Sequence, residues 1–427
     1  MTAPALPASV QAALAAAVDA EFDAACAFLA ELVRVPSDNP PGDCRAHAAR
    51  AQQLLEASGH AVETDPVPPA EAAAAGMIAA TNLIVRQRFG DGGPCIALNA
   101  HGDVVPPGLG WTEDPYGAAV REEPGRGPTM YGRGVAVSKS DFATYTYALR
   151  ALQRLAPSWP LRGQVELHFT HDEETGGELG PRRLLEQGLT RPDYAICAGF
   201  SYAVTTAHNG CLHLEVTVHG RQGHAAMPAS GVDALEAATR ILGALYAARA
   251  EMAKIRSQTP GIEHPTLNVG LIAGGINTNV VPDLVRFRLD RRIIPEESFD
   301  AVEAGLRALI TGAAALPGIR VEIRRVLKAL PLAPLPGTAR LSEALARHAS
   351  AIFATPVGEQ GLPLYTDARH YAAAGIPTVL YGAGPRTLGE ANGHAANEKL
   401  RLEDLRRATQ VVACTLAELL AAPGDAA

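Results

Sequence analysis

The chain has 427 residues, 47% hydrophobic and 19% charged, with a formal net charge of −8. That length exceeds what one compact core holds, so two domains are expected, and the balance of apolar and charged residues excludes a disordered chain. An acidic balance without any basic block argues against a nucleic-acid partner, and no apolar run approaches the ~18 residues that mark a membrane span. Along the chain, residues 1–18 carry no positive n-region and no long apolar stretch, so a cytoplasmic protein is expected. Apolar residues at helical spacing predict helices over 19–35, ending at Pro36, and over 46–59, ending on a glycine. Residues 82–86 and 95–100 read as strands, the second an apolar run suited to a buried parallel sheet. A helix over 141–155 and strands over 164–170 and 194–198 follow. This alternation predicts an α/β domain with a parallel-rich sheet covered by helices.

The pattern changes near Cys211. Residues 212–218 alternate cleanly, as an antiparallel strand with one exposed face does; a helix over 233–250, strands over 266–273 and 284–291, a helix over 298–311 and a strand over 319–326 complete a β-α-β-β-α-β order. After Pro336 helix, strand and helix return. The expected organisation is a discontinuous catalytic domain (1–211 and 329–427) interrupted by a ferredoxin-like α+β lid and dimerisation domain (212–328). The six cysteines, Cys26, Cys44, Cys95, Cys197, Cys211 and Cys414, form no CxxC pair and read as small buried apolar residues.

Three runs carry chemistry. The segment AHGDVVP at 100–106 follows a strand, at the carboxyl end where α/β proteins bind ligands; a histidine with an aspartate two residues on suits a metal ligand and the group that fixes its tautomer. HDEETGG at 171–177 also follows a strand; adjacent carboxylates repel, and burying both calls for a cation or a proton. GHAANE at 393–398 places a histidine in a Gly/Asn-rich loop. Taken singly, each has a plainer reading: a strand-end turn, a solvated acidic loop, a structural histidine.

Together these runs resemble the M20 metallopeptidases, the family of aminoacylases, carboxypeptidase G, succinyl-diaminopimelate desuccinylase and acetylornithine deacetylase. The resemblance extends to WTEDPY (111–116), YGRG (131–134), Lys139, GHAAMP (223–228), GGINTNVVPD (274–283), Asp290 to Arg292 and TDAR (366–369). It implies His101 as a metal ligand with Asp103 as its orienting carboxylate, Glu173 as general base, and Glu174 and His394 as ligands of a second metal. It implies that His224 is brought to the partner subunit's active site to stabilise an oxyanion, and that Asn279 and Arg292 hold the substrate, a guanidinium suiting a free carboxylate. For the last three, a polar surface residue of the lid is the plainer alternative.

The pattern breaks twice. Lys139 fixes the register of 132–140, and Val137 stands where the family carries the aspartate that bridges two metals. Gly199 stands where it carries an acidic terminal ligand. Four outcomes stay open. One metal ion, zinc first and manganese or cobalt next, sits among His101, Glu174 and His394. Substitute ligands step in, Asp141 before His171, Cys197 and His208, although Asp141 also suits a helix first turn. The protein runs metal-independent acid–base chemistry of a lyase, isomerase or racemase kind. Or it binds a ligand without turnover. The leading expectation is a homodimeric hydrolase acting on an amide bond of a small N-acylated amino acid or peptide with a free carboxylate.

Overall fold

The computed structural model of the chain describes residues 6–387 and 389–421, so the first five residues of the stretch read for a leader, and the last six of the chain, lie outside the described residues. The polypeptide divides into two compact units. One comprises Met1–Thr206, Pro334–Glu359 and Thr366–Ala427; the other comprises Ala207–Ala333 and Gln360–Tyr365.

The first unit is built on a mixed sheet of eight strands in the order Val62–Pro66, Thr81–Gly90, Gly163–Thr170, Cys95–His101, Tyr194–Cys197, Thr378–Leu380, Val204–His208, Glu359–Leu362, the last two of which run on at Ala207 and Gln360 into residues of the second unit. Four strands at its centre, from Gly163–Thr170 to Thr378–Leu380, run parallel. Alternation explains their burial. Ile96, Leu98 and Ala100 join Val165, Leu167 and Phe169 in the main core, against the almost wholly buried helix Lys139–Leu155. On the opposite face, Nδ1 of His168 lies 2.8 Å from the hydroxyl of Tyr371, on the helix Ala368–Ala373. Helices thus cover both faces, as strands apolar on both sides require.

The second unit is a four-stranded antiparallel sheet, Thr266–Gly274, Leu284–Ile293, Gly210–His219, Arg320–Ala329, with helices Ala234–Met252 and Phe299–Ala313 on one face. Asp233 caps the first helix by accepting the N–H groups of Leu235 and Glu236, and Ser298 caps the second through Ala301. The α/β sheet with a separate small antiparallel sheet is the fold class expected from the sequence.

Two local readings change. The helix expected over 19–35 is Phe22–Val33, and a separate helix before it, Ala8–Ala20, was not expected; between them the backbone leaves helical geometry at Glu21 (ψ 10°), whose carboxylate pairs with Arg150 and Arg154. A small sheet of Ala119–Glu123, Gly127–Tyr131 and Lys399–Arg401 was not expected, since AVREE and GPTMY lack the apolar alternation of a half-buried strand. Cys44, Cys197, Cys211 and Cys414 are buried, Cys26 and Cys95 partly so. Among the described residues no helix is long and apolar enough to cross a membrane.

Candidate active site

His101 ends its strand opposite Thr170, the last residue of the parallel neighbour, so two carboxyl ends open at one level. The chain leaving Thr170 turns at once into the short 3-10 turn Glu173–Thr175. Nothing larger than glycine fits after His101: a Cβ at Gly102 would stand 2.6 Å from Cε1 of His47 and 2.9 Å from Nε2 of His171. The fully buried Asp103 then folds back beneath the histidine. Nδ1 of His101 lies 3.0 Å from the Asp103 carbonyl oxygen and 3.4 Å from its Oδ1. The same carboxylate accepts the backbone N–H groups of Glu173 (3.2 Å) and Glu174 (3.1 Å) and the amide of Asn39 (2.9 Å). One aspartate therefore fixes both the ring of His101 and the turn that carries the two glutamates.

This arrangement leaves Nε2 of His101 facing Glu173, 4.0 Å from Oε2. One ligand atom from each of His101, Glu173 and Glu174 falls within 4.8 Å of the others. Nε2 of the half-exposed His394 lies 3.3 Å from Oε1 of the largely buried Glu174. The sequence-selected His101, Asp103, Glu173, Glu174 and His394 are thus brought together.

The cluster is dense in buried acid. Burial opposes charge on His101, but Asp103 and the two glutamates outweigh it and hold the imidazole well above its ordinary range. Burial, with Glu174 and Asp103 nearby, pushes Glu173 up to about 8. Asp367 is pushed up to about 8 by burial and Glu173, and Asp172 is raised well above its ordinary value by burial and Asp367. Asp367 belongs to the TDAR run, yet sequence reasoning gave it no role. Its Oδ2 accepts a 3.4 Å hydrogen bond from Thr170, while its buried Oδ1 has no hydrogen-bond partner.

Positions 137 and 199 offer the cluster no side-chain donor. Ser138, hydrogen-bonded to both the N–H and the carbonyl of His101, places position 137 beside that histidine, where Val137 packs on the apolar core. Its N–H, with that of Ala136, is held by Oε1 of Glu398, a buried residue paired with Arg133 at 2.7 Å. At Gly199 a Cβ would stand 2.7 Å from the Tyr381 nitrogen and 2.8 Å from the Leu380 carbonyl carbon, so this backbone admits no side chain. Asp141 lies outside the three-residue set: its oxygens accept the N–H groups of Ala383 (2.7 Å) and Gly199 (3.2 Å). Burial pushes it up to about 7 against those two bonds.

The weaker candidates are occupied elsewhere. His171 lies 2.9 Å from His47 through one ring nitrogen and 2.9 Å from the Thr81 carbonyl through the other, and burial holds it down to about 4. Burial pushes the Cys197 thiol well up, and His208, in the second unit, turns Nδ1 to the Asn209 carbonyl. His224, Asn279 and Arg292 also belong to the second unit. There His224 and Asn279 are neighbours, the Asn279 carbonyl accepting the N–H of Ala225 at 3.0 Å, and Arg292 donates to Asp290 at 3.0 Å.

Known proteins resemble this chain in sequence and in fold. Succinyl-diaminopimelate desuccinylase of Gluconobacter oxydans is 28% identical over 306 residues, 70% of this chain and 74% of that protein. Acetylornithine deacetylase of Vibrio atlanticus is 34% identical over 255 residues, 58% of this chain and 64% of that protein. Aminopeptidase PepT of Bacillus cereus shares the fold, with a TM-score of 0.71 at 23% identity over 93% of this chain and 98% of that one. The model of peptidase family M20/M25/M40 matches residues 97–418. The strand ends that carry His101 and Glu173, and most of the chain around them, fall within that match, and the chain belongs to this family of hydrolases.

Proposed function

We propose that the chain hydrolyses an amide bond of a small N-acylated amino acid or peptide, using one divalent cation where relatives of the family hold metal ions. The carrying observation is the convergence of His101, Glu173 and Glu174 on one point, with Asp103 behind the far nitrogen of His101. The names of the relatives point the same way, describing removal of a succinyl and an acetyl group from amino-acid derivatives.

The donor set suits one cation and not two. His101, Glu174 and His394 supply two imidazoles and a carboxylate, a set suited to zinc, with manganese or cobalt as alternatives. A pair of cations about 3.5–4 Å apart needs an anionic bridge, which Val137 does not provide. A cation held there would polarise the scissile carbonyl and acidify a water molecule. The protein does the rest. Asp103 holds the His101 tautomer with Nε2 forward. Glu173, a largely buried carboxylate facing His101, takes a proton from the attacking water and passes it to the leaving amine. His224 of the partner subunit steadies the oxyanion, Asn279 orients the substrate, and Arg292 pairs with its free carboxylate.

A homodimer formed through the second unit is part of this reading. Its edge strand Thr266–Gly274 exposes Leu271 (62%) and Ile272 (56%), and Ile276 beyond it is 70% exposed. An apolar open strand edge favours pairing with a second copy. Replacement of Ile272 by Glu should yield monomer in sedimentation; an unchanged oligomeric state would remove this part.

The deciding experiment pairs elemental analysis of the purified chain with hydrolysis of a panel of N-acetyl and N-succinyl amino acids. Metal-dependent release of the amino acid, abolished in Glu173→Gln with metal retained, is expected. Full hydrolysis by Glu173→Gln would overturn the mechanism, and chelator-resistant turnover would favour acid–base chemistry by Glu173 and His101 alone.

A further inference from the structure

A second cluster of groups of the kind that can ligate a metal ion lies in the second unit, on residues the proposed hydrolysis does not require as ligands. The central strands Gly210–His219 and Leu284–Ile293 run antiparallel, with Asp290 opposite His213 and Arg292 opposite Cys211. Side chains alternate along each strand. The helices cover the face carrying Leu212, Leu214 and Leu289, so Cys211, His213, Asp290 and Arg292 share the opposite face. Three different donors meet there. Oδ2 of Asp290 lies 2.8 Å from Nε2 of His213 and 3.6 Å from Sγ of Cys211, and all three ligand atoms fall within 4.8 Å of one another.

We infer that Cys211, His213 and Asp290 form a zinc-class cation site in the second unit, separate from the cluster around His101. The spacing suits this. With zinc–sulfur and zinc–oxygen bonds of about 2.3 and 2.0 Å, a tetrahedral centre sets sulfur and oxygen about 3.5 Å apart; the thiol and carboxylate stand at 3.6 Å. The His213 nitrogen would draw back by about half an ångström to reach the ~3.3 Å expected between nitrogen and oxygen ligands. The carboxylate is prepared for it. Arg292 donates through Nε to Oδ1 at 3.0 Å, which orients Asp290 and leaves Oδ2 turned to the other two donors. Burial would raise the Asp290 carboxyl, but His213 and Arg292 hold it below its ordinary value, in the ligating form. Cys211 is fully buried at the back of the cluster, whereas the His213 side chain is 35% exposed, so an ion enters from the histidine side and keeps its fourth position towards solvent. Binding releases the thiol proton to solvent. The ion ties the two central strands together and fixes Asp290, the partner of Arg292.

Cobalt(II) tests this on the full chain, because a thiolate ligand gives a charge-transfer band in the near ultraviolet that histidine and carboxylate ligands do not. The His101 cluster contains no thiol. Wild type and His101→Ala should show the band on titration. Cys211→Ser and His213→Ala should lose it, together with one equivalent of bound cobalt. His213→Ala alters a partly exposed side chain and carries the test if Cys211→Ser does not fold. Cobalt bound by wild type without the band, no cobalt uptake outside the His101 cluster, or a band that survives Cys211→Ser would each overturn the site. None of these results bears on hydrolysis at His101, so the two proposals fail separately.

Discussion

Gly199 offers the sharpest quantitative test of how this site is built. It follows the strand Tyr194–Cys197 and lies beside the loop that leaves the parallel strand Thr378–Leu380: its N–H donates to Asp141 at 3.2 Å and its carbonyl accepts from Gly384 at 2.9 Å. A methyl group at 199 would meet the Tyr381 nitrogen at 2.7 Å, the Leu380 carbonyl carbon at 2.8 Å and the Leu380 Cβ at 2.9 Å. Two of these are backbone atoms that cannot swing aside, because Leu380 pairs with Cys197 in the parallel sheet and Tyr381 donates to the Cys197 carbonyl at 2.9 Å. The strand ends would have to part by roughly half an ångström or more, at about 1–3 kcal/mol for overpacking. Weakening the charge-assisted bond from Gly199 to Asp141 adds about 1 kcal/mol. Gly199→Ala should therefore lose about 2–4 kcal/mol. Both tryptophans, Trp111 and Trp159, lie in the first unit, so their fluorescence in a denaturant titration follows that unit alone. Gly199→Glu should suffer at least as much and bind no additional metal. A loss below about 0.5 kcal/mol in Gly199→Ala, the usual size of a neutral surface change, or one more metal equivalent in Gly199→Glu, would refute the account of why this position holds no ligand.

Other substitutions probe the supports of the cluster. Glu398→Ala strands the buried Arg133 charge and frees two N–H groups, and should cost about 3–5 kcal/mol by the same fluorescence assay; a loss under 1 kcal/mol would show that the pair is not what holds the loop at Val137. Asp103→Asn should weaken metal binding about 10–100-fold, read by competition with a chromogenic chelator, because it loosens His101; unchanged affinity would deny Asp103 that role. Asp141 is raised to about 7 in the folded chain, from an ordinary value near 4. The folded state therefore binds the extra proton between those values, and this group's contribution to stability falls as pH rises from about 4 to about 7. Asp141→Asn should remove that part of the slope in denaturation midpoints taken across the range, and a slope identical to wild type would contradict it.

Much of the architecture was legible because the local signals agreed with the global fold. The run at 95–100 is apolar on both faces and becomes a central parallel strand, and Asp233 and Ser298 mark two helix starts as their side chains predict. The helix Ala8–Ala20 was hidden, since an Ala-rich stretch shows little contrast between faces. Within the site, His101, Asp103, Glu173, Glu174 and His394 could be picked out because the three runs that carry them, weak singly, together resemble the motifs of the family. Asp367, Asn39 and Glu398 could not be assigned work. Their roles depend on being folded against Thr170, Asp103 and Arg133 respectively, contacts between segments 64 to 265 residues apart. Nor does sequence alone show that Asp141 turns to the backbone of Gly199 and Ala383, because a helix first-turn acid has the same signature in either use.

The two positions without a donor share a physical logic. At each, a buried carboxylate is present nearby and is committed to backbone N–H groups: Glu398 to Ala136 and Val137, Asp141 to Gly199 and Ala383. Such bonds hold the loops in place without a cation, and they also fix the loops where position 137 is apolar and position 199 has no room for a side chain. The remaining acids, Glu173, Glu174 and Asp367, stand close around His101 and Asp103, and burial together with mutual repulsion raises Glu173 and Asp367 to about 8. In the proposed reading a single cation beside His101 relieves that repulsion, and Val137 leaves a second without an anionic bridge. The arrangement thus favours either one bound cation or one extra proton, and metal content, more than any comparison with relatives, separates hydrolysis assisted by an ion from acid–base chemistry carried by Glu173 and His101.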